Sequence, residues 1–254
     1  MSFNSRDQFL YPQYLLQIGG YSFTEGISLD WYSSKQKLFE IMEIRFTHRL
    51  HQVFSFAPMD KVTFSWGYAQ GMQKIFSGFV DRTYQSGNVV IAKDYMLKLR
   101  EGTIKEIFMD VTQDDLLTGI LSQAGVGNFQ IKSSTPVKKA KVNLHELTYD
   151  MAIDRANALW GTKELYYFDA NETFYFGLPK APRNVPPFHF GENILNLSKH
   201  EGTYEMEIIA TYVDFTNQIT VNHPNCSGIF EVEEVRFHVT NRGFPKMFLY
   251  FKER

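Results

Sequence analysis

The chain has 254 residues and a formal net charge of −2, long enough to bury a sizeable core as one large β unit or as two to three small domains, and without the basic field that draws proteins to nucleic acid or anionic lipid. A single cysteine, Cys226, excludes an intrachain disulfide framework and any multi-cysteine zinc or iron–sulfur site. Aromatic residues reach 16%, mostly as 23 Phe and 14 Tyr, a composition suited to pleated, half-buried surfaces and, more weakly, to large protein contacts.

The N-terminal stretch MSFNSRDQFLYPQYLLQIGG has too short an apolar run, with no charged lead-in, for a signal peptide, and nowhere do about 20 apolar residues run together. The expectation is a soluble protein made in the cytoplasm, with no membrane partner. From residue 14 to residue 95 the sequence predicts a succession of short strands: YLLQIGGYSF, ISLDWYS, FEIMEIRFTHRL, DKVTFSWGY, KIFSGFVDRTY and NVVIAKDY. In IFSGFVDRTY, Ile75, Ser77, Phe79, Asp81 and Thr83 share one face while Phe76, Gly78, Val80 and Tyr84 lie nearer the other. Both faces are partly apolar, so both are expected to meet protein. Ser86-Gly87-Asn88 then tolerates the positive φ of a hairpin turn, and Gly78 suggests a bulge or a close backbone approach.

After Lys98 the periodicity changes. Thr112 and Asp115 form a capping-box-like pair, and Leu116, Leu117, Ile120, Leu121 and Ala124 recur at helical spacing up to Gly125, which predicts a helix over 113–124. FQIKSS is a short strand candidate. A second helix is predicted in LTYDMAIDRANALWG, with Thr148 as N-cap, Ala152, Ala156, Leu159 and Trp160 as its buried stripe and Gly161 as its stop. KELYYFDANETFYFGLP reads as an aromatic hairpin turning at Asp169-Ala170-Asn171. APRNVPP, with three prolines in residues 181–187, is the linker candidate. Beyond it ILNLSKHEG, YEMEIIATYVDF, NQITVNH, GIFEVEEVRFHVTN and KMFLYFKE alternate like strands and form a second, small β unit.

The clusters that suggest chemistry have simpler explanations. Asp110, Asp114 and Asp115 sit where a helix start favours carboxylates. His189, Glu192, His200 and Glu201, and likewise His48 and His51, match no ligand spacing with a geometric rationale. Cys226 and His223 invite a Cys–His hydrolase, although NHPN before a glycine is ordinary turn chemistry. GxSxG, P-loop and GxGxxG motifs are absent. PVKKAK, Pro136 to Lys141, is a short basic cluster of the kind found on solvated faces. In ELYYF, TFYFG and FLYF the outward half of each alternating run is open to a sugar or a subunit.

The order of these features resembles the baseplate hub proteins of phage tails. That group includes the late-control D-type proteins, the hubs of myophages and phage-derived bacteriocins, and the N-terminal part of type VI secretion spike proteins. FEIMEIRFTHRL, DKVTFSWG and KIFSGFVDRTY resemble the family's first barrel, and DVTQDDLLTGILSQAGV resembles the helix placed just after it. LTYDMAIDRANALWGTKELYYFDANETFYFGLPK resembles the second helix and hairpin, and FGENILNLSKHEGTYEMEIIATYVDF the return to a second barrel, so the resemblance covers nearly the whole chain.

The resemblance implies a β-rich α+β fold, with two small β-barrel domains joined by an α/β insert. The divisions it suggests are an N-terminal barrel over 1–98, an insert over 99–180, and a linker with the second barrel over 181–254. It further implies a structural, non-enzymatic hub without cofactor or metal: a homotrimer closing into a ring that joins the tail tube protein to a central spike protein among other baseplate proteins. Its place would be the baseplate of a virion or of a phage-tail-like particle, with synthesis in the bacterial host cytoplasm. Since the chain stops at Arg254, any spike is expected to be a separate polypeptide. The interface candidates are Phe76, Phe79, Val80 and Tyr84 on the doubly apolar strand and Tyr166, Tyr167 and Tyr175 on the aromatic hairpin. The alternatives are a carbohydrate- or receptor-binding tail module using those hairpin tyrosines, and a hydrolase using Cys226 and His223.

Overall fold

Alternating apolar side chains turn most of this sequence into pleated strands. A computed structural model describes residues 12–47, 53–68, 71–83, 88–134, 136–180, 185–240 and 245–253. The N-terminal strands are β1 (Gln13–Ile18), β2 (Tyr21–Phe23), β3 (Ile27–Ser34), β4 (Ile41–Phe46), β5 (Lys61–Tyr68), β6 (Gly71–Thr83) and β7 (Val89–Asp94). A 3-10 turn at Tyr95–Arg100 leads to β8 (Thr103–Val111), α1 (Gln113–Gln123), β9 (Phe129–Ile131), β10 (Lys139–Thr148), α2 (Tyr149–Trp160), β11 (Tyr166–Phe168) and β12 (Phe174–Phe176). The C-terminal strands are β13 (Phe188–His189), β14 (Ile194–His200), β15 (Thr203–Ile208), β16 (Gln218–His223), β17 (Cys226–Val239) and β18 (Pro245–Lys252). The architecture is the β-rich α+β arrangement that the sequence predicts. Among the described residues no helix is long and apolar enough to cross a membrane.

The chain divides into two compact units, one made of Met1–Lys93 with Lys180–Arg254 and the other of Asp94–Pro179. In the first, hydrogen-bonded neighbours run β14-β15-β18-β17-β3-β4-β7-β6-β5-β1-β2, with β16 attached to β17 and β13 to β16. The N- and C-terminal β regions join where β17 pairs antiparallel with β3, from Glu234↔Ser34 to Val239↔Leu29. One apolar cluster extends through both regions and includes Leu16, Phe64, Trp66, Phe237, Leu249 and Phe251. Across the layers, the Phe237 ring lies 4.9 Å from Trp66 and 6.1 Å from Phe64. Each fully buried side chain of this kind favours the folded state by about 1.5–3 kcal/mol. The strand path is open among the described residues, ending at β2 and β14, so apolar packing rather than a closed ring of backbone bonds brings the layers together.

Two local expectations are corrected. Gly78 pairs squarely with Val62, and the extra residue of β6 is Ile75, between the pairs Phe64↔Phe76 and Ser65↔Lys74. A bulge re-aims the side chains that follow it, and here Ile75, Phe76, Ser77 and Val80 are all buried. YEMEIIATYVDF is a strand only to Ile208. Its remainder crosses the end of β5, where the Tyr212 hydroxyl donates to the Trp66 carbonyl at 2.7 Å and the Tyr68 hydroxyl donates to the Ala210 carbonyl at 3.0 Å.

In the second unit β8 and β10 form an antiparallel two-stranded ribbon, while β11-β12-β9 make a small sheet with β9 parallel to β12. The capping box at Thr112 and Asp115 is present and Leu116, Leu117, Ile120 and Leu121 are buried, as the periodicity predicts. Gly161 ends α2 in the left-handed region at φ 66°. The buried stripe of α2 is Ala152, Ile153 and Ala156, with Leu159 and Trp160 only half-buried near its end.

A buried charge cluster ties the first unit together. Lys180, Glu40 and Asp214 are 7%, 9% and 8% exposed. Lys180 Nζ donates to Glu40 Oε1 and, at 2.8 Å, to Asp214 Oδ2, and it lies 3.8 Å from the centre of the Phe215 ring. Ser33 Oγ donates to Glu40 at 2.9 Å and to Asp214 at 3.2 Å, and Trp31 Nε1 reaches Glu40 at 3.3 Å. Burial, and then the Asp214 charge, push the Glu40 carboxyl up against the pull of Lys180. Burial pulls the Lys180 ammonium down, but Asp214 and Glu40 outweigh it and the lysine is held above its ordinary value.

Breaking a buried pair from one side strands an uncompensated charge. Lys180→Met is therefore expected to lower the unfolding free energy by about 3–5 kcal/mol, and adding Glu40→Gln and Asp214→Asn should recover most of the loss. Urea denaturation checks this, and a change under about 1 kcal/mol in the single variant would contradict it. Stability is also expected to fall in alkali. Burial, and then Tyr212, push the Tyr68 hydroxyl up to about 12. Folded Tyr68 and Lys180 thus keep protons that the unfolded chain releases near pH ~10 to ~10.4. Their contribution is complete below the unfolded values and is lost as pH rises through the folded ones. Urea midpoints should hold up to about pH 9.5 and drop above it, and Tyr68→Phe should flatten part of the drop. Midpoints that stay level across that range would contradict the assignment.

Candidate interaction surfaces

Three of the residues that the sequence offers for contact are used inside the chain. Phe76 and Val80 are 1% and 0% exposed in the core of the first unit, and Tyr167 is 5% exposed in the second. Phe76 and Val80 lie on the face of β6 that enters this chain's own core, joined there by Ile75 at the bulge, so these two are not open to a neighbour. Phe79 is half-buried, with the Lys61 ammonium 5.0 Å from its ring centre. Tyr84, His48 and His51 lie outside the described residues.

The aromatic hairpin forms as predicted, with Tyr166↔Phe176, Tyr167↔Tyr175 and Phe168↔Phe174 in register. Asp169 Oδ1 accepts the backbone N–H groups of Asn171 and Thr173, both at 2.9 Å, which fixes its turn. Tyr166 and Tyr175 are half-buried. The Tyr166 hydroxyl donates to Asp154 at 2.6 Å, and burial followed by that carboxylate pushes it well above the usual phenol range. Tyr167 and Tyr175 stack with ring centres 5.2 Å apart, so each covers one face of the other.

A cluster on the outer face of the joining sheet was not legible beforehand. Arg236 on β17 pairs across to Tyr32 on β3 and to Phe248 on β18. Its guanidinium lies 5.5 Å and 4.9 Å from the ring centres of Tyr32 and Tyr250. Arg236 Nε and the Tyr32 hydroxyl both donate to Glu234, each at 2.8 Å. Tyr32, Arg236 and Tyr250, with Glu205, line a shallow hollow of about 400 Å³. Arginine held between tyrosines over an apolar floor is a composition enriched at the energetic centres of protein interfaces. Alternation in VRFHV puts Arg236 and His238 on one face, yet nothing local identifies Tyr32 as a neighbour.

The clusters considered for chemistry are satisfied structurally. Thr112 Oγ1 accepts the Asp115 N–H at 3.2 Å and Asp115 accepts the Thr112 N–H at 3.0 Å. The Thr112 side-chain bond, and then its backbone bond, hold the Asp115 carboxyl below its usual range. Asp114 accepts the Ser133 N–H at 3.2 Å, and Asp110 pairs with Lys138 at 3.3 Å. Among the described residues no group of three or more His, Cys, Asp or Glu side chains is placed to hold a metal ion, His189, Glu192, His200 and Glu201 included. Cys226 faces His223 in the β16–β17 register, but His223 Nδ1 accepts the Asn225 N–H at 3.1 Å, as part of the turn. Burial pushes the Cys226 thiol up, away from the thiolate that nucleophilic chemistry uses.

Neither a family model nor a curated protein sequence matches the chain. Solved structures do. The 43 kDa tail protein of prophage MuSo2 from Shewanella oneidensis aligns with a TM-score of 0.72 over 95% of this chain and 97% of that one, at 10% identity. The tail protein from Neisseria meningitidis MC58 aligns with a TM-score of 0.69 over 95% and 96%, at 9% identity. An E. coli component of the type VI secretion system, described as structurally similar to the T4 bacteriophage tail proteins gp27 and gp5, gives 0.66 over 94% of this chain and 76% of its own, at 12% identity. The chain has the fold of these tail proteins.

Proposed function

We propose that the protein is a structural component of a phage tail or of a tail-like contractile injection apparatus. Within it, the chain acts as a baseplate hub, three copies closing into a ring between the tail tube protein and a central spike protein, alongside other baseplate proteins. The observation that carries this reading is the likeness to a tail protein over 95% of this chain and 97% of the other. The same fold in a type VI secretion component supports the wider class of machine.

The role is one of assembly rather than chemistry. Rings arise from heterologous interfaces whose rotation closes, and obligate ones often bury about 2,000 Å² or more. A unit in which both β regions share one sheet and one core suits such a role, because its surfaces keep a fixed relation to each other. Phe79, Tyr84, Tyr166 and Tyr175 remain contact candidates in this reading. The Tyr32–Arg236–Tyr250 cluster joins them, while Phe76, Val80 and Tyr167 support the surface from beneath.

Sedimentation velocity and negative-stain imaging of the purified chain test the proposal. The expected result is a mass of three copies and a closed ring, with Arg236→Glu/Tyr250→Ala shifting the population to monomer at an unchanged urea midpoint. A monomer at high concentration, with no ring in the images, would overturn the hub reading.

A further inference from the structure

The β8–β10 ribbon carries a surface apart from the clusters described so far. Its inner face holds Ile104, Val142 and Leu144, which are buried, and the half-buried Phe108. Helix α1 approaches that face closely enough that a Cβ on Gly119 would lie 2.7 Å from the Phe108 ring. The opposite face presents Lys105, Ile107 and Met109 from β8 against His145, Asn143 and Lys141 from β10, directly paired in that order. Ile107 and Met109 are 56% and 64% exposed.

Among the described residues, the lysines of this face lack the carboxylate partners that many strand lysines of the first unit have. Several lysines of the first unit are matched: Lys35 to Glu231 at 2.7 Å, Lys93 to Asp81 at 3.1 Å, Lys246 to Glu207 at 3.3 Å and Lys252 to Glu233 at 3.0 Å. On the ribbon, neither Lys105 nor Lys141 makes an ion pair among the described residues. Of the polar side chains on this face, His145 has an acid beside it, Glu146 at the bulge, 3.8 Å away. Composition does not account for this, since residues 94–179 hold nine Lys and Arg against twelve Asp and Glu. Unpaired cations around exposed apolar side chains have thus been gathered onto one face of an otherwise acidic unit. Among the described residues β8 and β10 also pair only with each other, so their outer edges are open.

We propose that this face docks a partner protein through a segment that alternates carboxylates with apolar side chains. Such a segment would cover Ile107 and Met109, neutralise Lys105 and Lys141, and, laid along an open edge, continue the ribbon's hydrogen bonding. Nucleic acid fits less well, because Ile and Met offer no platform for base stacking and so few cations cannot track a phosphate backbone. The proposal rests on the ribbon alone and stands or falls separately from the trimeric ring.

A short fluorescein-labelled peptide alternating glutamate and leucine, titrated into the full-length protein, is the probe. Binding is expected to weaken as salt rises. It should fall by roughly tenfold or more in Lys105→Glu/Lys141→Glu and in Ile107→Ser/Met109→Ser, with urea midpoints unchanged, and be absent for the lysine–leucine peptide. Cross-links should map to residues 103–111 or 139–148. No binding, equal binding by the variants, or stronger binding of duplex DNA or anionic vesicles would overturn the proposal. So would a change in the protein's own oligomeric mass in the variants, which would assign the face to a second copy of the chain.

Discussion

The pairing of β17 with β3 is the constraint on which the first unit depends. It makes one sheet from strands that lie at opposite ends of the sequence, and it carries Phe237 into contact with Trp66 and Phe64. Without it the C-terminal β region would be left with a small core of its own, and small cores are marginal. The Lys180–Glu40–Asp214 cluster sits where the chain returns from the insert. It fixes that return with charge, and its sensitivity to removal of one partner makes it a positional lock rather than a source of net stability.

This economy of surface explains why the doubly apolar strand is not a free face. β6 gives Ile75, Phe76 and Val80 to this chain's own core, and what remains outside is polar with isolated aromatic and arginine positions, chiefly Phe79 and the Tyr32–Arg236–Tyr250 cluster. The second unit follows another rule, with a ribbon that covers two helices on one side and leaves unpaired lysines and apolar side chains on the other.

Local chemistry was legible where it decides the structure. Thr112 and Asp115 announce the start of α1, Gly161 the end of α2, and Asp169 the turn of the aromatic hairpin. Strict alternation announces β3, β5 and β15. Pairing between distant segments was not legible, because no residue in VRFHV encodes that Tyr32 will lie beside Arg236. A strand that is apolar on both faces also does not reveal which face meets its own core, which is why Phe76 and Val80 on the inward face read the same as Phe79 on the other. The ribbon was not legible because Ile107, Phe108 and Met109 run together without alternation, and because β10 carries lysines at Lys139 and Lys141 that read as a solvated loop. Residues 209–217 kept a strand-like pattern although Tyr212 uses its length to reach the Trp66 carbonyl.

Native-state hydrogen exchange tests the central claim most directly. If the two β regions are one cooperative unit through β17 and β3, the amides of Leu29 to Ser34 and of Val235 to Val239 should exchange only by global unfolding. Their free energy should then match that of β4 and β5, with the same dependence on denaturant. Exchange of β14 to β18 through a separate, lower-energy opening, while β3 to β5 stay protected, would contradict it.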